Sequence, residues 1–99
     1  MLVLPIKKKW FDMIKSGEKK EEYREIKPYY DSRFFNEWKR NHHNSCFDVI
    51  FRNGYSNNSP AIKCHISLHK GLLGKEEWGA EKDKTYYVLR ILSVEEVVR

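Results

Sequence analysis

The densest chemistry in this sequence is one octapeptide, Gly17-Glu18-Lys19-Lys20-Glu21-Glu22-Tyr23-Arg24, with the spacing G-x-K-x-x-E-x-R. A lysine beside a carboxylate can take part in proton transfer once burial lowers its pKa. An arginine two residues past the glutamate adds a planar fork of donors that suits a phosphate or a carbonyl oxygen. Lys19 and Glu22 are therefore candidate acid–base groups, and Lys19, Glu22 and Arg24 are candidate ligand contacts. The plainer alternative is a solvated, salt-bridged edge strand, which dense alternating charge usually makes. Burial decides between the two.

Other reactive residue types are present without a productive spacing. His42, His43 and Cys46 precede Cys64, His65 and His69, all of them possible zinc ligands. Cys64 and His65, however, are neighbours on an expected strand and leave opposite faces, and no C-x-x-C pair exists. A Ser-His-Asp or Cys-His nucleophile would need a strained elbow of the G-x-S-x-G kind, which is absent. Gly71-Leu72-Leu73-Gly74-Lys75 is too short for a phosphate loop and lacks its Ser or Thr. Neither a metal nor a cofactor is expected. Cys46 and Cys64 read as two reduced thiols rather than a disulfide framework.

The elements that must hold the octapeptide follow from periodicity. Leu2, Val3, Leu4 and Ile6 read as an opening strand. Residues 7–16 read as a helix, with Ile6, Trp10, Met13 and Ile14 on one side and Gly17 as its stop. Gly17 and Pro28 leave a nine-residue slot, too bounded for a helix, so residues 18–26 read as a strand. That strand would set Lys20, Glu22 and Arg24 on one face and Lys19, Glu21 and Tyr23 on the other. Residues 28–40 return to helical period through Tyr30, Phe34 and Trp38 with Phe35 beside them; Arg33, Glu37, Lys39 and Arg40 are placed toward water. Phe47, Val49 and Phe51 alternate as a half-buried strand. Asn53-Gly54 and Asn57-Asn58-Ser59-Pro60 make a loose turn into a return strand through Ile62, Cys64, Ile66 and Leu68. Gly71, Gly74 and Gly79 bracket a loop carrying Trp78, and residues 85–94 form a last strand. Five short strands and two helices predict an α+β domain, a small curled sheet or barrel.

Charge and size narrow the partners. The chain has 99 residues, 40% of them hydrophobic and 14% aromatic, enough for one folded domain spanning 1–99 and too few for two. Lys and Arg exceed Asp and Glu by 19 to 14. Residues 1–40 hold 11 basic and 7 acidic side chains, so most of the excess lies in the first half. One cationic face and an anionic partner such as nucleic acid are the expectation. No run of ~20 apolar residues suggests a membrane span. The apolar opening precedes Lys7-Lys8-Lys9, the reverse of a secretory signal, and the chain reads as cytoplasmic.

The octapeptide also resembles the signature of the ASCH domain family, a relative of the PUA domains. Gly17, Lys19, Glu22 and Arg24 fill all four motif positions, after a helix carrying Trp10-Phe11. Ile26-Lys27-Pro28-Tyr29-Tyr30, Phe51-Arg52-Asn53-Gly54 and Trp78-Gly79-Ala80 are similar to stretches of small bacterial and phage members. The resemblance implies a PUA-like fold, a small, mostly antiparallel β-barrel with two or three flanking helices, and a cleft around the motif. It implies RNA or nucleotide binding, with Lys19, Glu22 and Arg24 joined by Tyr23, Tyr29 and Trp78 as stacking surfaces. One branch of the family deacylates acylated cytidines through the motif lysine, a threonine and a distant glutamate, and other members are described as ribonucleases. Lys19 matches that lysine, Glu22 stands in the threonine's place, and Glu76 and Glu77 are candidates for the glutamate. A hydrolase using Lys19 and Glu22 is thus the alternative to a binding module. Trp78 is expected either to plug the barrel or to line the cleft beside Lys19.

Overall fold

The computed structural model describes residues 1–97. Val98 and Arg99, the end of the expected 1–99 domain, lie outside the described residues. The order of elements is β1 (Leu2–Pro5), α1 (Lys8–Ser16), β2 (Glu21–Arg24), α2 (Pro28–Arg40), β3 (Cys46–Arg52), β4 (Ala61–Leu73), a 3₁₀ turn (Glu76–Trp78) and β5 (Thr85–Glu96). The strands form one sheet in the order β1-β3-β4-β5-β2. Its pairs are antiparallel except β1 with β3, which run parallel.

The sheet is a curled half-barrel with two helices, and the α+β class stands. It does not close as the expected barrel would. β1 and β2, its two edges, have four residues each and make no ladder with one another. Closure needs strands long enough to tilt past each other in register. Here helices begin soon after β1 and β2, which keeps both edges short. Register shifts at His65/Ile66 and Lys70/Leu72 put the curl into the long central pair β4–β5.

The concave side holds the core. β3 alternates cleanly, with Phe47, Val49 and Phe51 inside, facing Ile62, Cys64 and Ile66 of β4 and Phe11 and Ile14 of α1. α2 docks through Phe34, whose ring meets Tyr87 edge-on at 4.7 Å between centroids. The Tyr87 hydroxyl donates to the Asp31 carboxylate on the same helix. A smaller cluster of Ala80, Tyr86 and Val88, packed by Tyr23, fills the β2 end of the sheet.

Several expectations shift in detail. β2 begins at Glu21, so Lys19 precedes the strand and the face assigned to it does not apply. β4 runs on through Gly71 to Leu73 because a bulge absorbs the glycine. On α2 Glu37 is buried while Phe35 is 54% exposed, the reverse of the expected faces. The contact stripe follows Tyr30, Phe34, Glu37 and Trp38, one face of a 3.6-residue period that leaves Phe35 a step outside. Cys46 and Cys64 are free, and burial pushes the Cys64 thiol up to about 12. Among the described residues, no helix is long and apolar enough to cross a membrane.

Candidate functional site

α1 ends because Gly17 takes a left-handed conformation, φ +86°, that a Cβ would disfavour. The chain then reverses tightly: Lys19 N donates to Met13 O at 2.9 Å, and Lys20 O accepts from Ile91 N at 2.8 Å. This reversal drives the Lys19 side chain inward. Its Nζ donates to the Trp78 carbonyl at 2.6 Å and lies 3.3 Å from Glu22 Oε1. The rings of Trp10 and Tyr23 flank the ammonium, each centroid 4.9 Å away. Gly79, at φ +100°, lets the backbone after Trp78 lie on Trp10; a Cβ there would stand 2.9 Å from Trp10 Cζ2.

Glu22 links this enclosed lysine to Arg24. Its Oε2 accepts from Arg24 Nε at 3.1 Å and Nη2 at 2.7 Å. Nη2 also donates to the Pro5 carbonyl at 2.9 Å, and Nη1 to the Tyr30 hydroxyl at 3.2 Å. Arg24 thereby spans from β2 to β1 across the open side of the half-barrel. Four of its five N–H groups are used, which leaves one Nη1 donor without a protein partner among the described residues. Burial holds Lys19 below the ordinary lysine pKa, outweighing the attraction of Glu22, and the Arg24 charge acts in the same direction. Arg24 moves upward: burial alone would lower it, but Glu22 and the Tyr30 contact overcome that.

In front of this trio lies a cleft of about 550 Å³. Glu22 and Arg24 line its floor, Trp10, Tyr23 and Tyr30 its walls, and Lys7, Lys27 and Asn53 contribute to its rim. Arg24 and Glu22 balance on the floor, and Lys7 and Lys27 against Glu25 leave the lining as a whole with one net positive charge. A ligand would meet a guanidinium N–H, a phenol hydroxyl and the remaining lone pairs of Glu22. That combination can grip a phosphate or read a flat base presenting both donors and acceptors.

Compared with known proteins, this chain matches no family model, no curated protein and no solved structure. The site must therefore be read from its own geometry. Among the described residues, no cluster of three or more His, Cys, Asp or Glu could hold a metal ion.

Of the residues singled out by sequence, Lys19, Glu22, Tyr23 and Arg24 converge. They do so in depth rather than side by side: Lys19 has no exposed side-chain surface and does not reach the cleft wall. The Tyr23 ring lines the cleft, but its hydroxyl turns away to donate to Glu21 at 2.8 Å and to accept from Lys75 N at 2.9 Å. Trp78 joins the constellation through its backbone carbonyl; its half-buried indole belongs to neither apolar cluster and lines a different groove. It is thus neither the expected plug nor a cleft wall. Tyr29 is half-exposed and outside the cleft, with Arg33 3.5 Å above its ring. Glu76 and Glu77 are exposed and line neither the cleft nor that groove.

Trp10, Tyr30 and Asn53 line the cleft but were not among the candidate site residues: the sequence set the two aromatics on core faces and Asn53-Gly54 in a turn, and otherwise offered them only within stretches of resemblance. A polar-tipped aromatic on an apolar stripe was the available signal, since an indole or phenol on a core face needs a partner for its polar atom. The Tyr30 hydroxyl finds Arg24.

Proposed function

We propose that the cleft binds single-stranded RNA or a nucleotide, and that the chain is an ASCH-like domain of PUA-like fold working in the cytoplasm. The observation that carries this is the cleft itself: a fixed guanidinium–carboxylate floor between aromatic walls, with lysines at the rim. Aromatic faces accept any base, and rim cations accept its phosphates. The filled motif positions Gly17, Lys19, Glu22 and Arg24 support the family reading, and the two free thiols accord with a reducing compartment.

The test is fluorescence anisotropy with a mixed-sequence oligoribonucleotide of about eight nucleotides, across salt from about 50 to about 200 mM. Affinity should fall steeply with salt. Lys7→Gln with Lys27→Gln should weaken binding and flatten the slope by about 0.7 for each phosphate no longer neutralised. Salt-insensitive binding, or none by a folded wild type, would dismiss the proposal. The hydrolytic alternative draws its support from the lowered pKa of Lys19, but a substrate in the cleft touches Glu22 and not Lys19. Cleavage of RNA or of an acylated cytidine by the wild type, abolished in Glu22→Gln, would put that reading in place of simple binding.

A further inference from the structure

β2 borders the cleft through Glu22, Tyr23 and Arg24, and through Glu21 it also borders a second concavity that Trp78 lines. This shallow groove, of about 340 Å³, is lined by Lys20, Glu21, Lys75, Trp78, Arg90 and Leu92. Three cations meet one carboxylate there, and that carboxylate is already engaged: Glu21 accepts from Tyr23 Oη at 2.8 Å and from Arg90 Nε at 3.1 Å. The Lys75 ammonium lies 4.6 Å from the centre of an indole ring that no core cluster claims. A cation-rimmed aromatic surface of this kind suits a stacked base flanked by phosphates. Cleft and groove are also mechanically joined. The Trp78 carbonyl is held by Lys19, and Lys19 lies 3.3 Å from the Glu22 carboxylate on the cleft floor.

We infer that this groove is a second nucleotide subsite for a single RNA strand whose first nucleotide sits in the cleft. A base stacks on Trp78, taking the place of the Lys75 ammonium over the ring. Lys20, Lys75 and Arg90 then meet the adjoining phosphates. This rests on the RNA-binding reading of the cleft and adds a direction, from cleft to groove, and a minimum length to it.

The experiment compares the four nucleoside monophosphates with a mixed-sequence oligoribonucleotide of about eight nucleotides, on wild type and Trp78→Ala. That substitution spares the backbone carbonyl that Lys19 holds. The wild type should bind the oligonucleotide more tightly than any monophosphate. Trp78→Ala should lose about five- to a hundred-fold of oligonucleotide affinity while monophosphate binding is unchanged. A second variant, Lys20→Gln with Lys75→Gln, leaves the Arg90–Glu21 pair in place and should flatten the salt slope for the oligonucleotide alone; it decides the matter if Trp78→Ala melts early. Unchanged oligonucleotide binding by these variants overturns the subsite and leaves the cleft reading standing. So does a wild type that gains nothing from length. Loss of monophosphate binding in a normally melting Trp78→Ala also overturns it, because the indole would then serve the cleft. Failure of the wild type to bind either probe ends both proposals.

Discussion

Removing the Lys19 ammonium would leave the Trp78 carbonyl without its donor and Glu22 with Arg24 as its only ionic partner among the described residues. Truncating one member of a buried ion pair costs about 3–5 kcal/mol, and Lys19→Ala should fall in that range in urea unfolding. Lys19→Met, which keeps the stem between Trp10 and Tyr23, should recover part of the loss. The pH dependence has an unusual sign for a lysine. Its folded pKa is lowered by burial, so between that value and about 10.4 the unfolded chain binds more protons. Stability then rises with pH: the penalty of a charged, enclosed Lys19 is full below the folded pKa and is relieved as pH climbs through it. Lys15, Lys70 and Lys84, all raised, work oppositely and lose their contribution as pH rises. Subtracting Lys19→Met from wild type cancels them. The difference should move in favour of the wild type toward pH 10; a flat or falling difference would show that Lys19 does not titrate below its exposed counterparts. The motif's spacing was enough to find these charges. It could not give their arrangement in depth, because Lys19 turns inward through a reversal that neither strand nor helix periodicity describes.

At the level of elements, two glycines set the site's geometry through different demands. Gly17→Ala should cost about 1 kcal/mol, since only the left-handed backbone at φ +86° is at stake. Gly79→Ala adds to a φ of +100° a Cβ that would press on Trp10, and should cost more, about 2 kcal/mol. Thermal melts that rank the two the other way would mean the Trp10–Gly79 contact gives way freely. Helix α1, its glycine stop, helix α2 starting at Pro28 and the alternation of β3 were all legible in sequence, because each has a local cause. The faces of α2 were not. Glu37 enters the interior and Phe35 leaves it because the sheet beneath α2, a tertiary partner, chooses the stripe. The length of β4 was hidden for a related reason: Gly71 looks like a loop signal, yet in a bulge a strand passes through it. Trp78 meets Lys19 through its carbonyl, an atom every residue carries and no composition can announce, and not through the indole that the sequence offered as plug or cleft wall.

For the molecule as a whole, the half-barrel leaves two short edges, and cationic side chains occupy both the opening between them and the groove beyond. Edge strands ordinarily fray independently, each with its own small opening free energy. Here β1 and β2 are separated by three strands along the sheet but joined directly by the Arg24 bond to the Pro5 carbonyl. Hydrogen exchange should register that bond as a coupling between distant amides. Ile6 N, bonded to Arg52 O at 2.8 Å, reports on the β1 edge, and Ile91 N, bonded to Lys20 O at 2.8 Å, reports on the attachment of β2. In Arg24→Met both amides should exchange faster by similar factors, beyond any change at Val49 or Cys64 in the centre. Acceleration confined to one edge would mean the strands open separately. If they open together, the two borders of the sheet are one cooperative unit, and a ligand that grips Arg24 should slow exchange at both borders at once.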